Sequence, residues 1–205
     1  MKRKIMIEVI LLGFFLINTV EGGFQKNELI FEKGTVFLTV TDNMLYTECK
    51  FDVKNYSKDN QYVIGFPFHI DKYLSSPSNI NIFIEECKIE FKTIDEENII
   101  FLLSLERLAS KTISIGYHQQ IKKNQPIKIT YITKTIRTWG HPLKSETFYI
   151  QVSNHYVLRN CTLPIRKIER SDHYKIYYIH VNDYFPDENL SFVLMKNFEE
   201  VIHFG

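Results

Sequence analysis

The three cysteines carry the most reactive side chains of this 205-residue sequence. Cys49, Cys87 and Cys161 lie far apart and form no Cys-x-x-Cys pair of the kind that holds zinc or a redox disulfide. Cys49 lies on the apolar face of a predicted strand, and this position favours a role as a small apolar residue of the core. Cys87 and Cys161 fall in a predicted turn and loop, so the sequence allows a Cys87–Cys161 disulfide, with Cys49–Cys161 as the alternative. No local motif indicates a catalytic cysteine.

The histidines and carboxylates show no spacing that is typical of a catalytic or metal site. The seven histidines include no His-x-His or His-x-x-x-His pair, so the sequence predicts no metal ligand and no cofactor. Glu85-Glu86 and Glu96-Glu97 are adjacent pairs that splay apart on a strand or turn, whereas a glycosidase needs two carboxylates facing one cleft. No Gly-x-Ser-x-Gly or phosphate-binding glycine loop is present, so no catalytic residue is predicted.

Aromatic side chains offer the one candidate for a binding site. Trp139, Tyr131 and Tyr149, with Phe148 and Tyr156 nearby in the sequence, are typical of a platform for a sugar or an apolar partner. Aromatic residues are also what the core of a β-sandwich uses. Both interpretations stay open, and the core interpretation is favoured.

All of these aromatic residues except Tyr156 lie in the stretch 126–152. Apolar and polar residues alternate around Ile127–Tyr131 and again around Phe148–Val152, which is typical of strands with one buried face. Between them, Trp139-Gly-His-Pro142 holds the only tryptophan and a strong turn signal. The pattern predicts a hairpin-like pair of strands that Trp139 anchors.

The composition favours strands over helices. Hydrophobic residues make up 44% of the chain and aromatic residues 14%, and Ala109 is the only alanine. Isoleucine, tyrosine, phenylalanine and threonine favour strands, while alanine favours helices. An AT-rich genome would produce part of the same bias.

Alternating apolar and polar residues with regular turn signals predict about eleven or twelve short strands. The clearest strand runs from Leu45 to Lys54, with a predicted turn before it at Lys33-Gly34. A long surface loop is predicted from Ile70 to Asn79. Residues 95–110 fit either a capped helix or a buried strand followed by a second strand, and the two strands are favoured.

These elements predict an all-β fold, an antiparallel β-sandwich that is either immunoglobulin-like or made of two fused small sandwich halves. Residues 23–205 are expected to form a single domain, with a possible internal boundary near 118–126.

The first 22 residues resemble a secretory signal peptide. A basic start, Lys2-Arg-Lys4, is followed by an apolar run, Val9 to Ile17, and by small residues ending at Gly22. The run is too short for a comfortable membrane span, although an uncleaved anchor stays open, and no later segment of the mature chain is expected to span a membrane. We therefore expect a secreted or periplasmic protein.

The net charge points away from nucleic acid. It is +1, and residues 1–22 contain three basic and two acidic residues, so the mature chain is expected to carry zero net charge. A neutral chain without a basic run lacks the electrostatic footprint of a nucleic-acid-binding protein.

Four short elements occur in a familiar order: Phe51-Asp-Val-Lys-Asn55, Ile64-Gly-Phe-Pro67, Thr112-Ile-Ser-Ile-Gly-Tyr117 and Thr138-Trp-Gly-His-Pro142. Together they resemble exported bacterial β-sandwich proteins of unknown function, over roughly residues 45–152. The resemblance implies a β-sandwich. That group has no assigned catalytic residues, so the resemblance implies none here.

The function predicted from the sequence is that of an exported, non-enzymatic β-sandwich with a binding or structural role at the cell envelope. The partner would be an unknown protein or envelope component. Two alternatives stay open: a carbohydrate-binding module that uses the aromatic cluster, and a hydrolase whose residues converge only in the fold.

The first testable prediction concerns export. We expect residues 1–22 to be removed, because they combine a basic start, an apolar run and a small-residue junction. N-terminal sequencing of exported material should begin at Gly23. A mature chain that begins at Met1 would contradict the prediction.

Overall fold

The computed structural model describes residues 29–122 and 126–196, and in them nearly every regular element is a strand. The strands are β1 (Leu29–Val40), β2 (Met44–Asn55), β3 (Gln61–Pro67), β4 (Leu74–Ile84), β5 (Cys87–Ile89), β6 (Phe91–Thr93), β7 (Asn98–Ser104), β8 (Ser110–Ile121), β9 (Ile127–Tyr131), β10 (Leu143–Ser153), β11 (Tyr156–Arg159), β12 (Lys167–Arg170), β13 (Tyr174–Tyr184) and β14 (Leu190–Lys196). A single 3-10 helix, Lys134–Trp139, is the one helical element of the described residues.

The strands form one large sheet faced by two small ones. The large sheet has the order β12-β13-β10-β1-β2-β8-β4-β5, and the small sheets have the orders β11-β14-β9 and β3-β7-β6. Among the described strands, every pair is antiparallel except β1 and β10, which run parallel. The predicted all-β sandwich is confirmed, with one continuous large sheet opposite a layer that is divided in two.

Aromatic contacts show how the layers pack. Tyr131 of β9 contacts Phe148 of the large sheet edge-to-face, with ring centroids 6.2 Å apart. Phe66 of β3 contacts Tyr117 of the large sheet in the same way at 6.0 Å. Both small sheets therefore pack on the same face of the large sheet, here called the inner face. The opposite, outer face carries the residues that alternate with these core positions, and many of them are polar.

Strand β1 differs from the sequence prediction of a turn at Lys33-Gly34. The chain continues as one strand, and its register against β2 shifts between Phe31 and Lys33. Glu32 is the extra residue of a β-bulge, which reverses the phase of alternation so that Phe31 and Val36 both face the core. The phase change that suggests a turn in the sequence is produced by this bulge.

Two further predictions are corrected. The loop predicted from Ile70 to Asn79 largely belongs to β4, which pairs with β8 through two irregularities that accommodate Pro77. The predicted hairpin of residues 126–152 is wrong, because β9 pairs with β14 in a small sheet whereas β10 pairs with β1 and β13 in the large sheet. The segment between them crosses from one layer to the other.

The strands predicted from Asn98 to Leu105 and from Lys111 to Tyr117 are confirmed as β7 and β8. β7 and β8 replace the alternative helix, because their alternate residues face the core in the two-residue period of a strand. The predicted strand from Leu45 to Lys54 corresponds to β2. The possible domain boundary near 118–126 covers the end of β8 and the segment that follows it, part of which lies outside the described ranges. The predicted signal peptide lies wholly outside them.

The 3-10 helix forms the crossing between the layers. The Asn189 side chain accepts hydrogen bonds from the backbone N–H groups of Thr133 and Lys134, at 3.1 and 3.0 Å. Gly140 ends the helix with a positive φ of 76°, a conformation that glycine adopts without strain. This places Trp139 in the core, stacked on Phe31 with ring centroids 4.2 Å apart.

The second prediction concerns this stacking. Trp139 is only 2% exposed and also meets Phe51 edge-to-face, so Trp139→Ala would leave a large void between the layers. We expect it to lower the free energy of unfolding by about 3–5 kcal/mol. The measurement is urea unfolding of both proteins, followed by circular dichroism.

Leu102→Ala provides the control, because Leu102 is 68% exposed and its truncation should change the stability by about 0.5 kcal/mol or less. A loss for Trp139→Ala no larger than that of the control would show that the ring does not hold the layers together.

Candidate functional site

The three binding residues predicted from the sequence do not lie together in the structure. Trp139 and Tyr131 are buried in the core, 2% and 6% exposed. Tyr149 lies on the outer face of β10, half-buried beside Phe37. The three side chains therefore do not form one platform, and only Tyr149 is placed where a ligand can approach.

The cysteines are also separated. All three lie in the described ranges and are free. Cys87 is exposed at the β4–β5 turn of the large sheet, whereas Cys161 follows β11 in a small sheet, so the Cys87–Cys161 disulfide is not formed. Burial raises the pKa of the Cys49 and Cys161 thiols, which disfavours the nucleophilic thiolate form. Among the described residues, no group of three or more His, Cys, Asp or Glu could hold a metal ion.

Glu146 is a buried carboxyl that the sequence does not single out. It lies on the inner face of β10, 1% exposed, opposite Gly34 of β1 in the parallel pair. A Cβ atom at Gly34 would overlap the carboxyl group of Glu146. The carboxyl therefore occupies the space that any other residue at position 34 would need.

The surroundings of Glu146 favour its neutral form. Its Oε2 is buried and has no hydrogen-bond partner in the described part of the chain. Burial raises the pKa of Glu146 well above its usual range. Nearby, the hydroxyl of Tyr131 lies 3.1 Å from Sγ of Cys49, and burial raises the pKa of both groups.

A small cavity adjoins this polar group. Its walls include Glu146, Tyr131, Thr133 and Trp139, and its volume is about 10 Å³, the space that one water molecule needs. It is too small for an organic substrate. The buried carboxyl consequently affects stability rather than offering a reaction site.

A larger concave site lies on the outer face of the large sheet. Its volume is about 300 Å³, the lower end of the range for ligand pockets. We call it the outer groove. Its floor is Gly116 of β8, and its walls and rim include Phe37, Tyr46, Glu48, Asn79, Asn81 and His118.

Strand pairing explains the shape of the outer groove. Gly116 lies between Glu48 of β2 and Asn81 of β4 in the register of the sheet, so the missing side chain leaves a depression between two occupied positions. Nothing but the carbonyl oxygen of Thr47, at 3.9 Å, lies near the position that a Cβ at Gly116 would take. Space for a ligand is therefore present without backbone strain.

The groove has one aromatic wall and one polar wall. Phe37 stacks on Tyr149 at 4.8 Å with an interplanar angle of 7°, so its other face is turned toward β2, where Glu48 is its register partner. On the far side, the amide nitrogen of Asn79 lies 3.3 Å from Nδ1 of His118. The amide oxygen of Asn81 accepts a hydrogen bond from Lys88.

A row of rings continues the aromatic wall across the sheet. Tyr178 of β13 lies beside Tyr149, with ring centroids 5.4 Å apart, and Tyr149 stacks on Phe37. We call these three residues the aromatic row. The structure leaves Tyr178 half-buried on the outer face.

Sequence reasoning missed the outer groove although part of the signal is present. Strand alternation assigns Phe37 and Tyr46 to the faces of β1 and β2 that point away from the core. Large rings on a solvent face are a departure from the usual pattern. The contribution of β4, in contrast, depends on strand pairing that the sequence does not show.

Comparison with known proteins shows similarity at the level of the fold. The sequence matches no protein-family model and no curated protein. Among solved structures, a protein of Legionella pneumophila described as a "putative nutrient binding protein" is similar, with a TM-score of 0.67 and 13% identity over 83% of this chain and 68% of that one.

Zinc metallopeptidases of the M1 type from Deinococcus radiodurans are also similar. One of them has a TM-score of 0.50 and 10% identity, and a mutant bound to a Tyr-Ser-Ala substrate has 0.51 and 11%. This chain spans 42% of their length, with 82% of its own residues matched. These similarities show a shared fold.

In the described ranges, no helix is long and apolar enough to cross a membrane.

The third prediction concerns Glu146. A carboxyl whose pKa is raised in the folded state makes the protein lose stability as the pH rises above the unfolded-state value, near 4.3. An amide at this position would stay neutral at every pH. Between the unfolded-state and folded-state pKa values of Glu146, the free energy of unfolding of Glu146→Gln should therefore rise relative to wild type by up to about 1.4 kcal/mol per pH unit. Below the unfolded-state pKa the stability difference between the two proteins should no longer change with pH.

The measurement is urea unfolding of both proteins from pH 4 to pH 8. The neighbouring Cys49, Tyr131 and Tyr184 have raised pKa values, about 12 for Tyr184, and stay neutral in this range. Glu86→Gln, in the exposed β4–β5 turn, controls for the loss of one carboxylate. A stability difference that is the same at every pH would mean that Glu146 is not held in its neutral form.

Proposed function

We propose that this chain is an exported, non-enzymatic binding protein of the cell envelope and that its ligand is a carbohydrate held in the outer groove. The observation that carries the proposal is the depression over Gly116, whose lining includes the rings of Phe37 and Tyr46 and the amides of Asn79 and Asn81. The description of the Legionella protein as nutrient-binding is compatible with such a role.

The groove offers the two kinds of contact that a sugar ring makes. A pyranose has an apolar face of C–H groups, which packs on an aromatic ring such as Phe37, and a rim of hydroxyls, which exchange hydrogen bonds with amides and hydroxyls. Asn79 and Asn81 of β4 and Ser114 of β8 carry such groups among the lining residues. The Asn81 amide already donates to the backbone oxygen of Asn79 and accepts from Lys88, so a sugar hydroxyl there would share these bonds. A neutral sugar therefore fits both walls.

The groove is less suited to hydrolysis. A glycosidase needs two carboxyl groups that flank the bond to be cleaved. Among the residues that line the groove, Glu48 is the one with a carboxylate, and it forms an ion pair with Lys50 at 3.1 Å. This arrangement favours binding over the alternative of a hydrolase.

The fourth prediction tests the groove by filling it. Gly116→Val places a side chain on the floor, where the strand conformation accepts a β-branched residue and no close neighbour is displaced. We expect wild type to bind one or more neutral oligosaccharides on an array of gluco-, manno- and N-acetylated glycans. Gly116→Val should weaken that binding at least tenfold, as measured by calorimetry.

Gln120→Val is the matched control. Gln120 lies on the same strand and the same face, is exposed and does not line the groove. It should bind like wild type and keep the wild-type free energy of unfolding within about 0.5 kcal/mol. Gly116→Val should be at least as stable as wild type, because glycine weakens the interior of a strand. Equal binding by the two variants would exclude the groove as the binding site. The absence of any wild-type binding on the array would refute the proposal that the ligand is a carbohydrate.

A further inference from the structure

The aromatic row and the outer groove form one continuous surface across six strands. The register places Tyr178, Tyr149, Phe37, Glu48, Gly116 and Asn81 next to one another on strands β13, β10, β1, β2, β8 and β4. Neighbouring strands in a sheet are about 4.8 Å apart, so five such intervals extend over about 24 Å. This length is several sugar rings rather than one.

The rings of the row are accessible but are not all offered face-on. Phe37 is 37% exposed, and Tyr149 and Tyr178 are half-buried. Because Phe37 and Tyr149 stack on each other, Tyr149 directs its edge outward, whereas Tyr178 is tilted by 59° to Tyr149. The row thus presents an apolar ridge on which the phenol groups can also exchange hydrogen bonds.

Along β1 and β10 the surface beside the row is polar and uncharged. At the two ends of the row, Glu48 and Lys167 are the register partners of Phe37 and Tyr178. Both charges are paired, Glu48 with Lys50 and Lys167 with Glu169. The outward residues that flank the row on β1 and β10 carry hydroxyl or amide groups, and they are Thr35, Thr39, Thr147 and Gln151. In the register of the sheet, Thr35 pairs with Thr147 and Thr39 with Gln151. Such a surface offers no cluster of cations for a nucleic acid or an anionic lipid. It suits a neutral, hydroxyl-rich chain.

We propose that the outer groove is the terminal subsite of a longer site and that the ligand is a linear, uncharged polysaccharide running across the strands from the groove to Tyr178. This inference rests on the proposed function and adds to it the length and direction of the ligand. One ring of the chain occupies the groove against Phe37, and the following rings lie along the aromatic row.

The fifth prediction separates the row from the groove. The probes are linear neutral oligosaccharides, from disaccharide to hexasaccharide, of the type that wild type binds on the glycan array, and affinity is measured by calorimetry. Wild-type affinity should rise with chain length. Tyr178→Ala should bind the disaccharide like wild type and the hexasaccharide about threefold to tenfold more weakly, because one aromatic contact is lost.

Tyr174→Ala is the matched control. Tyr174 is also on β13, on the same face and 38% exposed, but it lies four residues away along the strand, about 13 Å from Tyr178. It should bind every oligosaccharide like wild type. Urea unfolding of both variants checks that the sheet is intact.

The outcomes distinguish the two proposals. If wild type binds all lengths equally and Tyr178→Ala has no effect, the groove remains a carbohydrate site and the extended site is refuted. If Tyr174→Ala weakens the hexasaccharide as much as Tyr178→Ala, the chain does not run across the strands. If only charged polysaccharides bind, the proposal of an uncharged ligand is refuted. If no oligosaccharide binds, both proposals are refuted.

Discussion

The parallel pairing of β1 with β10 is the interaction on which the rest of the structure depends. β1 is the only link between strands β12, β13 and β10 on one side and strands β2, β8, β4 and β5 on the other, among the strands of the described ranges. The eight residue pairs from Lys33–Ser145 to Val40–Val152 join segments that are more than a hundred residues apart. Such distant contacts carry a large loop-closure cost, which the buried inner face must offset.

The buried carboxyl and the aromatic row both lie on this junction. On the inner face, Gly34 of β1 opposes Glu146 of β10 and leaves the space that the carboxyl group fills. On the outer face, Phe37 of β1 opposes Tyr149 of β10 and joins the aromatic row to the outer groove. The same register thus sets an internal polar group, which costs stability, and an external aromatic surface, which is accessible to a ligand.

The sequence predicts local elements well and long-range pairing poorly. β2 and β8 follow from strict alternation, because one buried face is enough to set a two-residue period. The bulge at Glu32 breaks that period and produces a false turn. The hairpin anchored by Trp139 fails for a different reason: alternation identifies β9 and β10 as strands but does not specify that they belong to different layers. The outer groove cannot be predicted from the sequence for the same reason, because Gly116 forms its floor only when β2 and β4 lie on either side of β8.

A simpler explanation of the aromatic row is that it stabilises the sheet. Cross-strand aromatic pairs contribute roughly 0.2–1 kcal/mol, so Phe37 and Tyr149 would be useful on β1 and β10 even without a ligand. That explanation does not extend to Gly116, since glycine in the interior of a strand weakens it and contributes no contact. A glycine that costs stability, set between Glu48 and Asn81, leaves the space that the proposed ligand would need.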